Sequence, residues 1–258
     1  MGKKRQMGSV NKTLFSVSVA MAAYNGEPFI ESQIESILSQ LGEGDELVIS
    51  LDPSLDDTEK IIRTFAKRDK RVKWVCGKGE GLVNNFGNAI RHCSNDIIFL
   101  SDQDDLWKKD KLDIVLSYFQ NPQINVVMHD AEIVDEKGEQ RFSSFIKKRG
   151  CRTGIFKNIF KNSYIGCCMA FRKSIKKYIL PFPENIPMHD QWIGLIGEIT
   201  GKTVIINDVL LCYRRHEKNA SAETHSSIHQ MLRWRLELIG NIFGFTVKYH
   251  LYKERSQK

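Results

Sequence analysis

The chain lacks any apolar run long enough to cross a membrane, and no cleavable signal follows its basic N-terminus. The longest uncharged window, residues 13–26, is short and contains several polar residues, whereas a spanning helix needs roughly 20 apolar residues. Residues 17–21 are interrupted by Ser18 and lead into AAYNGEP, not into a small-residue cleavage site. We therefore expect a cytoplasmic protein, and attachment to a membrane surface stays open.

Two chemical signatures are also missing. The six cysteines include no CxxC pair and have no histidine at ligand spacing, which argues against a zinc site or a redox pair. We expect them to be reduced and mostly buried. No GxGxxG follows the first predicted strand, and the glycines at 77–81 come after the third strand with the wrong spacing, which disfavours a dinucleotide-dependent oxidoreductase.

Composition predicts a folded protein with a basic surface. The chain has 258 residues, of which 41% are hydrophobic, so one domain spanning residues 1–258 can bury a sizeable core. Its 38 Lys and Arg against 31 Asp and Glu give a formal net charge of +7, which favours anionic partners such as phosphorylated ligands, nucleic acid or an acidic membrane. Because no nucleic-acid-binding motif accompanies this charge, we expect no nucleic-acid partner.

The first hundred residues alternate between strand and helix patterns. Strands are predicted at residues 14–21, 47–51, 72–76 and 96–101, with amphipathic helices between them. This β-α order predicts an α/β fold with a mainly parallel, Rossmann-like sheet flanked by helices. Ligands bind such sheets at the carboxyl ends of the strands. Three polar segments fall there, residues 22–27, 52–57 and 101–105, and we expect them to line one crevice.

The second half is less regular. We predict helices at residues 107–119 and 190–199, strands at 124–134, 164–171 and 203–213, and a basic irregular loop at 142–161. From residue 221 the pattern is helical again and ends in a basic, aromatic tail. This tail is either a packed terminal helix with a solvated basic end or a surface helix that docks on anionic lipid.

The stretch SDQDDLW places three carboxylates directly after a buried strand. Mg²⁺ and Mn²⁺ prefer carboxylate oxygen, take one or two carboxylates from the protein and fill their other positions with water and ligand phosphates. Asp102 and Asp104 meet that demand. The alternative is a turn in which Asp105 caps a helix at residues 106–107. The position at a strand end favours a divalent metal that carries a phosphorylated ligand.

Four further candidates lie downstream. Asp190, in MHDQW, is either the N-cap of a helix or an ionised general base at the start of that helix. His216 is either a surface residue or a metal ligand. Arg214 and Arg215 are candidates for holding diphosphate oxygens, because guanidinium groups match phosphate geometry. The residue types alone leave these alternatives open.

Six segments in order resemble family 2 glycosyltransferases with the GT-A fold, and among them the bacterial rhamnosyltransferase-like enzymes that build surface polysaccharides. The segments are AAYNGEPFIESQIESIL, SLDPSLDDT, LVNNFGNAI, IIFLSDQDDLW, MHDQWIGLIG and YRRHEKNAS. The resemblance covers about residues 16–221. A DxD motif alone is a weak signal, whereas six blocks in register are a strong one.

The resemblance implies that different segments of the chain bind different substrates. Residues 14–105 would form a nucleotide-sugar-binding half, 106–220 a smaller acceptor-binding half and 221–258 a helical tail. The nucleotide would contact Ala23, Tyr24, Asn25, Asp52, Asn85, Asp102 and Gln103. Mg²⁺ or Mn²⁺ would be bound by Asp102, Asp104 and His216, the diphosphate by Arg214 and Arg215, and Asp190 would act as the catalytic base.

The implied activity is inverting transfer of a sugar from a nucleoside diphosphate donor, of the UDP or dTDP type, to a glycan or lipid-linked glycan. Such an enzyme would work in the cytoplasm or on the cytoplasmic face of the inner membrane. The chain departs from the family pattern at the second-strand turn, where relatives usually carry two acids. Here Leu51 precedes Asp52, and Pro53 stands where glycine is common. The departure weakens the choice of nucleotide, and a relative that has kept the fold but lost catalysis is the alternative.

Overall fold

A computed structural model gives the fold of residues 15–215 and 228–255. Its first half alternates strands and helices as predicted: β1 (Val17–Ala23), α1 (Ile30–Leu38), β2 (Glu46–Leu51), α2 (Thr58–Arg68), β3 (Val72–Cys76), α3 (Leu82–His92) and β4 (Ile97–Asp102). These four strands are parallel and lie in the order β3-β2-β1-β4. Every residue of β1 is buried, as expected for a strand covered on both faces.

The second half extends the same sheet. It contains β5 (Leu106–Trp107), α4 (Lys111–Tyr118), β6 (Ile124–Val134), β7 (Gln140–Phe142), α5 (Phe145–Arg149), α6 (Ile155–Phe160), β8 (Met169–Arg172), α7 (Lys176–Ile179), α8 (His189–Thr200), β9 (Lys202–Arg214) and α9 (Ile228–Arg255). Antiparallel β8 joins β4 to β6, which pairs parallel with β9. The described residues thus form one sheet of nine strands, parallel in its first half and mixed in its second.

The helix predicted at residues 107–119 is shorter than expected. Residues 106–107 form β5, which pairs with β9, and α4 begins only at residue 111. Asp105 therefore does not cap a helix at 106–107. Its Oδ1 instead accepts a hydrogen bond from the backbone N–H of Arg214 at 3.0 Å. Strand pairing with a segment distant in sequence overrides the local helical pattern here.

Two other segments differ from their predictions. The basic loop predicted at residues 142–161 contains α5 and α6, because Ser144 caps α5 through a bond from the Lys147 N–H and Gly150, at φ 66°, ends that helix. The strand predicted at residues 164–171 begins instead with a 3₁₀ turn, Gly166–Cys168, and only β8 is extended. Short helices of this kind are defined by their caps and contacts, not by periodicity.

The cysteines and the tail agree with their predictions. All six cysteines are unpaired, and Cys93, Cys151, Cys167 and Cys168 are buried. The tail is helical: α9 packs against the body through Leu238 and leaves other apolar side chains exposed. Within residues 15–215 and 228–255, no helix combines the length and hydropathy that a membrane span requires.

Candidate functional site

The segments that follow β1, β2 and β4 converge at one edge of the sheet, as predicted. Ala22 of β1 lies beside Asp102 of β4, and Ala23 lies beside the last residue of β2. The Ala23 carbonyl accepts hydrogen bonds from the N–H of Asp52 at 2.9 Å and from Nδ2 of Asn85 at 3.2 Å. Residues from three parts of the chain are therefore in direct contact at the carboxyl ends of the parallel strands.

The loop after β1 is held to both neighbouring loops. The Asn25 N–H donates to Ser54 Oγ at 3.0 Å, and Asn25 Oδ1 accepts from the Leu55 N–H at 2.8 Å. On the other side, the Gln103 amide accepts from the Tyr24 N–H at 2.9 Å and donates to the Tyr24 carbonyl at 2.7 Å. Asn25 adopts φ 45°, a left-handed conformation that asparagine tolerates better than most residues. The loop is thus pre-shaped by its neighbours.

Gly26 makes the Gln103 contact possible, and we expect Gly26→Ala to break it. A Cβ at position 26 would lie 2.1 Å from Gln103 Oε1, so the amide would have to rotate away and lose both bonds to Tyr24. The expected loss is about 1–3 kcal/mol of unfolding free energy, measured by thermal or urea unfolding. Gln103→Ala should cost as much, and the double variant should cost no more than Gln103→Ala alone. Additive losses would contradict a shared cause.

Asp52 and Asn85 lie where the loop after β3 approaches the edge of the sheet. Asp52 Oδ1 accepts a hydrogen bond from the Gly79 N–H at 3.0 Å, and a Cβ on Gly77 would come within 2.1 Å of the same oxygen. Asn85 is buried, and its Oδ1 has no hydrogen-bond partner in the part of the chain that the structure describes. A buried acceptor without a partner is costly, so this oxygen is suited to a donor group on a ligand.

The carboxylates after β4 form a cluster in a poorly solvated space. Ligand atoms of Asp102, Asp105 and Cys167 lie within 4.8 Å of one another. Burial, together with the charges of Asp104 and Asp190, raises the pKa of Asp102 to about 7. Burial and the neighbouring carboxylates raise the pKa of Asp105 well above its usual value. A positive charge placed among these groups would be strongly stabilising.

The sequence pattern did not identify two members of this cluster. The sequence pattern offers Asp105 a role only in the alternative interpretation, as a helix cap, and predicts Cys167 only as a buried thiol, yet both lie next to Asp102. Asp105 Oδ2 is buried and has no hydrogen-bond partner among the residues described. Asp104, which the DxD pattern paired with Asp102, is also buried. The geometry therefore adds Asp105 and the Cys167 thiol to Asp102 as candidate metal ligands, while Asp104 is not a member of this three-residue cluster and stays a predicted ligand.

A buried lysine lies beneath the cluster and was also missed. Lys111 has no exposed surface, and its Nζ donates to the Cys167 carbonyl at 3.1 Å and lies 4.1 Å from the centre of the Trp107 ring. Burial lowers the pKa of Lys111 to about 8, although the nearby thiols and carboxylates oppose that change. Helical periodicity gives no sign of a buried lysine, because its burial depends on contacts distant in sequence.

Asp190 lies in the first turn of α8 and faces the same space. Its Oδ1 accepts hydrogen bonds from Asn162 Nδ2 at 3.0 Å and from the Gln191 N–H at 2.6 Å. The helix begins after Met188, so Asp190 is inside the helix and is not its N-cap. Burial raises the pKa of Asp190 to about 6, while these hydrogen bonds oppose the rise. No motif or spacing in the sequence singles out Asn162.

The residue before Asp190 joins the two halves of the site. His189 is buried and stacks on Phe86 of α3, with ring centroids 4.1 Å apart. Burial lowers the pKa of His189 to about 3, so the ring is neutral. Its contact with Phe86 fixes the start of α8 against the helix that also carries Asn85. Movement of Asp190 relative to the strand ends would require this stacking to break.

Arg214, at the end of β9, contacts the turn that contains Asp104 and Asp105. Its Nε donates to the Asp104 carbonyl at 3.0 Å, one of its terminal nitrogens donates to the Glu136 carbonyl at 2.8 Å, and its guanidinium lies 4.9 Å from the Phe29 ring centre. Arg215 donates to Tyr213 Oη at 3.3 Å. Phosphate binding by the two arginines stays a prediction. His216 lies outside the described residues, so its predicted part in the metal site is untested as well.

A groove lies at the opposite end of β4. It has a volume of about 1050 Å³, and its lining includes Phe15, Asp96 and Arg172. Three of its cations bond the backbone: Lys173 donates to the Ser94 carbonyl, Lys176 to the Arg91 and Cys93 carbonyls, and Arg172 to the Ile124 carbonyl. These hydrogen bonds give the cations a structural role in holding the backbone. The groove has none of the clustered carboxylates that distinguish the carboxyl edge of the sheet.

Comparison with known proteins gives consistent matches. The family model described as "Glycosyl transferase family 2" matches residues 18–179. The UDP-Glc:alpha-D-GlcNAc-diphosphoundecaprenol beta-1,3-glucosyltransferase WfgD of Escherichia coli is 27% identical over 212 residues, covering 81% of this chain and 80% of that protein. The dTDP-rhamnosyl transferase RfbG of Shigella flexneri is 27% identical over 213 residues, covering 77% and 72%. This chain spans only 26% of a matching uncharacterized glycosyltransferase of Rickettsia bellii.

Solved structures agree on the fold. S. aureus TarS 1-349 in complex with UDP-GlcNAc superposes with a TM-score of 0.66 at 16% identity, covering 87% of this chain and 66% of that one. At this identity the likeness concerns the fold alone. The α/β architecture of the GT-A type, which the sequence motifs predicted, is confirmed.

Proposed function

The chain belongs to glycosyltransferase family 2, and from that premise we propose that it transfers a sugar from a nucleoside diphosphate donor to a hydroxyl group of a glycan, with inversion, in bacterial surface polysaccharide synthesis. One observation carries the proposal: the donor-side loops, the acidic cluster and the buried Asp190 meet at one edge of the sheet. The polysaccharide context is supported by the similarity to the glucosyltransferase WfgD and the rhamnosyl transferase RfbG.

On this proposal one half of the chain binds the nucleotide and the other half binds the acceptor. Residues 14–105 bind the nucleotide through the loops after β1 and β2, where the Asn85 Oδ1 acceptor would receive a donor group of the ligand. Residues 106–220 bind the acceptor, and the tail, residues 221–258, is the third segment. The continuous sheet joins the first two segments, so donor and acceptor sites would share one rigid frame. UDP and dTDP donors are proposed, as both occur in the relatives' names.

The residues present fit a hard divalent cation. The clustered carboxylates with raised pKa values and the unpartnered Asp105 Oδ2 are what such an ion satisfies. We assign Mg²⁺ or Mn²⁺ to Asp102 and Asp104, with Asp105 next to them and His216 as a further ligand. Such an ion, when bound, would neutralise charge on the diphosphate of the donor. Arg214 would keep the backbone of this turn in place through its bond to the Asp104 carbonyl.

Asp190 is the proposed base. Its carboxylate would take the proton of an acceptor hydroxyl while that oxygen attacks the anomeric carbon, and the bond from this carbon to the diphosphate oxygen would break with its electron pair. A single displacement of this kind inverts the anomeric configuration. A pKa of about 6 keeps Asp190 ionised at neutral pH yet basic enough to accept a proton. Asn162 would orient the carboxylate.

We expect calorimetry to detect binding of one nucleotide, UDP or dTDP, that strengthens about tenfold or more with Mn²⁺, since a charge-assisted contact contributes about 1.5–3 kcal/mol. GDP serves as the comparison nucleotide. Asp104→Asn should remove the Mn²⁺ dependence while leaving weak metal-free binding. Nucleotide sugars that contain the bound nucleotide would then be tested for hydrolysis. Release of the nucleoside diphosphate is the quantity measured, and the sugar that supports it identifies the donor. If no nucleotide binds with or without Mn²⁺, the chain is an inactive relative and the proposal fails.

A further inference from the structure

An exposed surface made of α5, α6 and the outer side of α9 has an unusual composition. On α6, the Phe156 and Phe160 side chains are 81% and 62% exposed, and each is followed by an exposed lysine, Lys157 and Lys161. Large aromatic side chains exposed next to lysines are typical of surfaces that enter a lipid headgroup layer. We refer to this surface, defined by residues 145–161 and the outer side of α9, as the α6–α9 face.

The outer side of α9 continues the apolar part of this face. Its exposed apolar residues recur at intervals of three or four positions and so form one stripe along the helix: Leu232, Leu236, Ile239, Phe243, Val247 and Leu251. The opposite side of the helix packs inward through Leu238 and Ile242. Arg235 ties α9 to α6 by donating to the Phe160 carbonyl at 3.0 Å. The stripe and the two phenylalanines therefore belong to adjoining elements.

The charge of the α5–α6 part of the face is of one sign, whereas α9 also carries Glu237, which pairs with Arg233, and the exposed Glu254. Residues 140–183 contain no Asp or Glu, and their cations are Arg141, Lys147, Lys148, Arg149, Arg152, Lys157, Lys161, Arg172, Lys173, Lys176 and Lys177. Those of α5, α6 and the segment between them are exposed. Among the described residues, none of these α5–α6 cations pairs with a carboxylate. The described part of the chain therefore gives these α5–α6 cations no acidic partner, and an anionic surface would complement them.

We infer that the α6–α9 face docks on an anionic bilayer, with Phe156, Phe160 and the α9 stripe in the headgroup region and the α5–α6 cations on lipid phosphates. A second copy of the chain fits poorly, because a two-fold interface would place these cations against their own copies. Bare nucleic acid would leave the apolar stripe without a partner. An anionic bilayer satisfies both the charge and the apolar surface.

Docking through the α6–α9 face would bring the proposed base, Asp190, close to the membrane. Asn162, which orients Asp190, follows directly after the end of α6 and Lys161. A chain docked through α6 would therefore hold the base next to the membrane surface. This inference rests on the proposed function, and it specifies the acceptor as a glycan carried on a membrane lipid, like the GlcNAc-diphosphoundecaprenol acceptor that gives WfgD its name. It also adds α6 to the tail helix as part of the membrane contact.

The test is co-sedimentation of the full chain with vesicles of phosphatidylglycerol and phosphatidylethanolamine, and with vesicles of phosphatidylcholine alone. We expect binding to the anionic vesicles, weakened by salt, and little binding to phosphatidylcholine. Phe156→Ser with Phe160→Ser should weaken binding about tenfold or more, as should Lys157→Glu with Lys161→Glu. The matched control is Lys67→Glu with Lys70→Glu, which reverses two exposed charges at the β3 side of the sheet and should leave binding unchanged.

Three outcomes overturn the inference: no binding to anionic vesicles, equal binding by the phenylalanine variant, or a dimer in light scattering that this variant dissociates without any vesicle binding. Unchanged melting temperatures of the variants would show that the fold is intact. Docking and chemistry fail separately. Nucleotide-sugar hydrolysis without vesicle binding would reject membrane docking and leave the proposed function intact. Vesicle binding without any nucleotide-sugar turnover would reject the proposed function and leave membrane docking intact.

Discussion

Asp190→Asn is expected to reduce sugar transfer by about 10²–10⁴-fold while leaving nucleotide binding unchanged, because a positioned general base contributes about that factor. The amide keeps the shape of the side chain and an oxygen that can accept from Gln191 and Asn162. It cannot accept the proton of the acceptor hydroxyl. Transfer is measured as donor consumption with a saturating acceptor, and nucleotide affinity by calorimetry on the same preparation. Equal turnover by the variant would remove Asp190 from the role.

The pH dependence provides an independent test of the same assignment. Since burial raises the pKa of Asp190 to about 6, the base is ionised above that pH, and transfer should fall as the pH decreases through about 6. The Asn162 hydrogen bond lowers this pKa, so Asn162→Ala should move the acidic limb to higher pH and leave the rate at high pH largely intact. A change in kcat at every pH without a shift of the limb would make Asn162 a structural residue only.

Much of the arrangement at the carboxyl ends of the parallel strands could be predicted from the sequence, because its signals are local. Each of β1, β2 and β4 is a short apolar run followed directly by polar residues, so chain order alone indicates that Tyr24, Asp52 and Asp102 meet at one edge. The chemistry of Asp102 also follows from its position, because carboxylates at a strand end in an α/β sheet lie where ligands bind. The structure adds the contacts that hold these loops together.

The rest of the site depends on contacts between distant segments, which periodicity does not report. Lys111 occupies a position that a surface lysine could equally fill, and only the approach of the 3₁₀ turn at Gly166–Cys168 buries it. Cys167 meets Asp102 because β8 pairs with β4 in the antiparallel direction. Asn162 follows a segment that was predicted to be irregular. The second half of the chain, which contributes these residues, is therefore where the sequence alone was least informative.

The acidic cluster lowers the free energy of unfolding of the metal-free protein, an effect that the sequence pattern does not show. Asp102 has a pKa of about 7 in the folded chain and an ordinary value of 3.8, so the folded state binds more protons between about pH 4 and pH 7. The free energy of unfolding of the metal-free protein should therefore decrease as the pH rises through that window. The chain tolerates this repulsion at the carboxyl edge of its sheet, which is where a divalent cation would relieve it.

Asp102→Asn should consequently stabilise the metal-free protein and abolish its response to metal. At pH 8 the variant loses one of the repelling charges, and we expect a gain of about 1–3 kcal/mol in unfolding free energy after allowing for the partial exposure of Asp102. The difference should vanish below about pH 4, where Asp102 is neutral in both states. Thermal unfolding across this pH range measures both effects.

The metal response distinguishes a binding site from mere crowding of acids. Mn²⁺ at about 100 times its dissociation constant should stabilise the wild-type chain by about 2.7 kcal/mol, and it should have little effect on Asp102→Asn. Asp96→Asn is the matched control at the opposite end of β4. Ser16 holds the pKa of Asp96 below its usual value, so this substitution should slightly destabilise the protein and preserve the metal response. A destabilised Asp102→Asn variant that still responded to Mn²⁺ would mean that Asp102 is a structural carboxylate and that the ion binds elsewhere.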